Sequence, residues 1–82
     1  MKTLPRSLSV IATEILLDWK KPYFGAVPYI QAMRCLNTIS DSYGLDSAKS
    51  IILYFLANAN TWHGEIARRI KTELKEISKE ES

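Results

Sequence analysis

The stretch "ANANTWHGE", residues 57–65, holds Thr61, Glu65 and the single histidine of the chain, His63. A hydroxyl, an imidazole and a carboxylate are the parts of a nucleophile, a base and an orienting group, and Cys35 is a second possible nucleophile. Such chemistry needs a frame that holds the groups at hydrogen-bonding distance. The chain has no G-x-S-x-G elbow, no H-E-x-x-H and no glycine-rich loop to cradle phosphate. The competing reading is structural. Asn60 or Thr61 would cap the start of a helix, Glu65 would sit at the positive end of its dipole, and Gly64 would permit a bend or a close helix approach. On that reading no residue is catalytic and the protein is not an enzyme. One histidine and one cysteine cannot supply the four ligands of a structural zinc site, so no metal or other cofactor is expected.

The elements around this stretch follow the helical period, and no segment alternates as a half-buried strand does. A first helix is predicted from Ser7 to Lys20, with Leu8, Ile11, Ala12, Ile15 and Trp19 on one face and Ser7 or Ser9 as its cap. Val10 and Leu17 fall off that stripe, which predicts contact on two sides. Pro22 ends the helix. A second helix is expected from Pro28 to Ser42, carrying Tyr29, Ala32, Met33, Leu36 and Ile39, with Gly44 in the left-handed terminating position. Asp46 would cap a third, Ser47 to Asn58, whose apolar body "SIILYFLANA" predicts a central helix covered by the others. A strand over "IILYFL" is the rival there. A fourth helix should start between Thr61 and Glu65 and run to Ser78. It carries the stripe Ile66, Ile70, Leu74, Ile77 and the pairs Glu65–Arg69 and Arg69–Glu73, with a frayed tail beyond. The expected fold is all-α: one domain over residues 1–82, ordered from about 7 to 78, built as a compact bundle of four short helices.

A chain of 82 residues buries only about 60% of its unfolded surface. Without disulfides or a metal, such a domain relies on tight helix packing or on self-association, so a homodimer is one expectation. The lone cysteine and the absence of a signal-peptide pattern point to a cytoplasmic protein, and no run is apolar enough to span a membrane. Net charge is +2, and the excess lies in residues 1–27, where Lys2, Arg6, Lys20 and Lys21 face Glu14 and Asp18. That is a weak footprint for nucleic acid.

Most of the eight aromatic residues should fill the core. Three stand at helix junctions, and Tyr23, Phe24 and Trp62 are therefore the candidate anchors for a partner, with Arg68 beyond them and Arg69 and Lys71 as polar rim. The basic residues also admit a nucleic-acid reading, with Lys20, Lys21, Arg68, Arg69 and Lys71 on phosphates. A helix-turn-helix is disfavoured, because the third helix is too apolar to read a groove. A third reading is a nucleotide or other polar ligand held by Asn58, Asn60, Thr61 and the aromatics, best enclosed at a dimer interface.

The runs "YFGAVPYIQAM" and "LNTISDSYGLDSAKSIILYFLANANTWHGEIARRIKTEL" resemble a family of small uncharacterised helical proteins encoded by phages, prophages and other mobile elements. The resemblance covers roughly residues 10–75. It implies an origin rather than an activity, and its pattern often has Arg where this chain has His63, which speaks against catalysis there. Combined with the residue-level reading, it leads to the expectation of a non-enzymatic phage-type module in the host cytoplasm. The module would bind a host or phage macromolecule, protein before nucleic acid, with inhibition of a host defence system as one role.

Overall fold

The computed structural model describes residues 6–79, which form four helices and a two-stranded hairpin. Helix α1 spans Leu8–Asp18, α2 Val27–Met33, α3 Ala48–Ala57 and α4 Glu65–Lys79; β1 is Ser42–Tyr43 and β2 Asp46–Ser47. The chain is mostly helical, and the hairpin is an addition to the expected all-α bundle. Among the described residues no helix is long and apolar enough to cross a membrane.

Helix α1 begins where Ser7 takes an extended conformation and its hydroxyl accepts from the Val10 amide at 3.2 Å. Two further amides of its first turn find tertiary partners. Leu8 donates to the Asn37 carbonyl at 3.0 Å and Ser9 to the Leu36 carbonyl at 2.9 Å. Leu8, Ile11, Ala12, Ile15 and Trp19 are buried as the period predicts. Val10 and Leu17 are exposed instead of contacted, so α1 packs on one side only.

Helix α2 is shorter than expected and stops at Met33, well before Ser42. Two effects end it. The Asp41 carboxylate accepts from the amides of Asn37 and Thr38 at 2.8 and 3.0 Å, a local closure that competes with helix. The Leu36 and Asn37 carbonyls are also committed to α1, where a continuing helix would have used them internally. Ala32, Met33 and Leu36 are buried, with Tyr29 and Ile39 partly so.

Gly44 does take the left-handed conformation, at φ 63°, but in a hairpin and not at a helix end. Ser42 pairs with Ser47 and Tyr43 with Asp46, leaving Gly44 and Leu45 as the two-residue connection. Positive φ at the first turn position is what such a connection requires. Ser47, not Asp46, then caps α3 by accepting from the Ser50 amide at 3.1 Å. Helix α3 buries Ala48, Ile51, Ile52 and Phe55 but leaves Leu53 and Tyr54 half-exposed, so it is not covered all round. In α4 the buried stripe is Ala67, Ile70, Leu74 and Ile77, while Ile66 faces solvent. Ser78 and Lys79 remain helical, and the rest of the expected frayed tail lies outside the described residues.

Helices α1 and α4 are further joined by charge. Arg6 forms a fork on Glu73, with hydrogen bonds of 2.9 and 2.7 Å, and donates to Glu14 at 2.8 Å. Arg69 also donates to Glu14, and lies 4.0 Å from Glu73 one turn along its own helix. The Arg6 hydrogen bond is the main reason the Glu14 carboxyl is held below its ordinary range, against the opposing effect of burial and with help from Arg69. A carboxyl depressed in the folded state stabilises fully above its unfolded pKa of about 4.3, and that contribution is lost as pH falls through the folded value. The urea midpoint of the wild type should therefore fall more between pH 7 and pH 3 than that of Glu14→Gln; equal falls would remove Glu14 from the acid response. Asp41, shifted in the same direction, leaves the variant some acid sensitivity.

Candidate functional site

The segment 57–65 turns out to be the junction of α3 with α4, and its residues divide between core and surface. Trp62, expected as an exposed anchor, is 2% exposed. Its indole stacks on Trp19 at 5.6 Å with 10° between the planes, and Phe55 meets both rings edge-on at 6.2 and 6.4 Å. The Trp62 indole N–H donates to Asp18 at 2.8 Å, so the polar atom of this buried ring has a charged acceptor. Trp62 therefore belongs to the core, and the periodic pattern missed this because the residue lies outside any helix.

The asparagines act at the end of α3 and not at the start of α4. The Asn58 side-chain amide donates to the Tyr54 carbonyl at 2.9 Å and that of Asn60 to the Ala57 carbonyl at 3.5 Å. The Asn58 backbone amide reaches Phe55 and the Ala59 amide reaches Leu56, so the last-turn carbonyls of α3 all have partners. Thr61 is exposed and does not cap α4. Gly64, at φ 111° with open space where a Cβ would stand, turns the chain into α4, and its carbonyl accepts from the Arg68 amide at 3.0 Å.

Two open clefts flank this junction. One, of about 280 Å³, is lined by Tyr23, Ala57, Asn58, Asn60 and Thr61. The other, of about 260 Å³, is lined by Trp62, His63, Gly64, Ala67, Arg68 and Lys71. Of the six candidate partner-binding residues, Tyr23 and Phe24 sit together, their rings 4.8 Å apart, with Phe24 80% exposed. Trp62, Arg68 and Lys71 share the second cleft, where only Arg68 is freely presented. The Lys71 ammonium donates to the Trp62 carbonyl at 2.7 Å and lies 6.0 Å from its ring. Burial, with the charge of Lys75 adding to it, pushes the Lys71 amine below its usual range. Arg69 is held by Glu14 on the α1–α4 face.

His63 is exposed and makes no side-chain hydrogen bond to Thr61, Glu65 or Cys35. Cys35 is exposed in the turn after α2 and lines neither cleft. Among the described residues no group of three or more His, Cys, Asp or Glu is placed to hold a metal ion. One close-packed position beside the first cleft is not legible in the sequence. Gly25 is not only a flexible linker residue: a Cβ there would lie 2.6 Å from the Tyr23 ring and 2.9 Å from the Asn58 carboxamide oxygen. The missing side chain leaves room for both groups beside the Gly25 Cα.

With Trp19 and Trp62 both buried, tryptophan emission should be blue-shifted and resist acrylamide quenching; efficient quenching would return Trp62 to the surface. Trp62→Ala should cost about 3–5 kcal/mol in urea unfolding, whereas His63→Ala should change stability by no more than about 0.5 kcal/mol. Comparison with family models, with curated proteins and with solved structures finds no match to this chain, so the resemblance to phage and mobile-element proteins rests on its quoted residues alone.

Proposed function

We propose that this chain is a small non-enzymatic interaction module that binds a protein partner through Tyr23 and Phe24. The observation that carries the reading is the exposure of Phe24 on an ordered turn. Pro22 precedes the pair, the Tyr23 carbonyl accepts from the Ala26 amide at 2.8 Å, and the Phe24 carbonyl accepts from the Val27 amide at 3.3 Å. Large rings held ready on a fixed backbone lose little conformational entropy on binding, which is what an anchor needs. Arg68, exposed on α4, is the polar contact nearest in kind. The resemblance supports a phage or mobile-element origin, a cytoplasmic setting, and a host or phage macromolecule as partner, with inhibition of a host defence system as one outcome.

Two features bear on the rival readings. A phosphate-binding face would draw on Lys20, Lys21, Arg68, Arg69 and Lys71, but Arg69 is paired with Glu14 and Lys71 is tied to the Trp62 carbonyl. Three cations remain, too few for a steep salt dependence. Val10 and Leu17, half to two-thirds exposed on the outer side of α1, favour self-association as an additional mode.

The test compares capture of partners from lysate by the wild type and by Phe24→Ala at two salt concentrations. The reading expects a reproducible protein partner whose affinity drops about 30-fold in the variant, the roughly 2 kcal/mol of a hot-spot aromatic. Stability should stay within about 0.5 kcal/mol, because Phe24 is exposed. Capture that is indifferent to Phe24 but abolished by moderate salt would transfer the function to the nucleic-acid reading.

A further inference from the structure

We infer that the cleft at the C-terminal end of α3 receives an arginine side chain of the partner. This deepens the interaction reading above and rests on it. The argument begins with hydrogen-bond polarity. The carbonyls of Tyr54 and Ala57 can only accept, so the Asn58 and Asn60 side chains must turn their NH₂ groups toward α3. Their carboxamide oxygens are left without a donor among the described residues. Thr61 and Tyr23, in the same lining, carry hydroxyls that can donate or accept as the ligand requires. The two carboxamide oxygens can only accept, so a ligand that engages both must bring donors.

The lining holds no charged side chain, and it opens at the negative end of the α3 dipole, which favours a cation. One wall is the ring of Tyr23, which with the Asn58 oxygen occupies the space over the bare Cα of Gly25. A flat cation with several N–H donors and no acceptor meets all of these conditions, and that is a guanidinium. It can stack on the ring while donating in its plane to the carboxamide oxygens. An ammonium can donate but cannot stack as a plane. A carboxylate or phosphate would find no partner in the two carboxamide oxygens and no cation in the lining. Lys20 and Lys21, exposed on the same linker, repel a cation at longer range, so added salt should weaken arginine binding little.

Nα-acetyl-arginine methylamide is the probe, titrated into ¹⁵N-labelled full-length protein, with the lysine analogue and adenosine monophosphate as parallel arms. Saturable shifts are expected at the Asn58 and Asn60 side-chain amides and at Thr61. The lysine analogue should bind at least about tenfold more weakly, because it lacks the stacking plane. Gly25→Ala, which displaces the Tyr23 ring or Asn58, should weaken the arginine probe at least about tenfold, as should Tyr23→Leu, whose side chain is exposed. Absence of saturable shifts, equal binding of lysine, or shifts from adenosine monophosphate alone would overturn the inference. So would unaltered binding in folded Tyr23→Leu. Phe24-dependent capture of a partner without arginine binding would remove this inference and leave the interaction module. Arginine binding without Phe24-dependent capture would keep the cleft and remove the module.

Discussion

The fold depends on the packing of Trp62 against Trp19 and Phe55. These three rings come from the junction after α3, the end of α1 and the body of α3, so one contact joins three parts of the chain. In so short a chain, few other side chains can bury comparable area. The Asp18 carboxylate gives the indole N–H its acceptor, and the Trp62 carbonyl in turn holds the Lys71 ammonium on α4. The α3–α4 junction is thereby a structural corner first, and its surface properties follow from what the corner has already used.

Helix ends are satisfied by neighbouring elements as much as by local caps. The first-turn amides of α1 take carbonyls from the segment after α2, and this is one reason α2 is short. Ser7 and Ser47 cap α1 and α3 in the ordinary way, through amides three residues on. At the end of α3, Asn58 and Asn60 close the helix with their NH₂ groups. That gives the nearby cleft its acceptor character without any residue dedicated to it. A role in capping and a role in recognition are compatible, because a carboxamide has two ends of opposite polarity.

Much of the architecture was legible in the sequence because burial has a period. The five-residue stripe of α1 and the Ile70, Leu74 and Ile77 line of α4 follow from spacing alone, whereas the choice of Ser7 over Ser9 as the α1 cap came from the structure. The length of α2 did not, since Met33 is followed by residues with no strong helix breaker until Gly44. Asp41 ends the helix from eight residues further on, by a side-chain contact that spacing does not encode. The hairpin was missed for a related reason. Its strands are two residues each, too short to show alternation, and a glycine after a helical pattern also fits a helix terminus.

Of the residues placed on the surface from their position at a junction, Tyr23 and Phe24 are exposed and Trp62 is buried. Position along the chain shows that a residue is not on a helix face; it does not show whether a loop folds inward. By itself the sequence determined the helical class, the buried stripes, and which residue types were on hand for chemistry or contact. Only the tertiary structure decided that Trp62 turns into the core while Phe24 turns out, that Arg69 and Lys71 are already engaged, and that Tyr23 and Asn58 both close over Gly25. The physical reason is range. Period and capping act over three or four residues along the chain, whereas the ring contacts of Trp19, the Asp18 hydrogen bond and the Glu14–Arg69 ion pair join residues 36 to 55 positions apart.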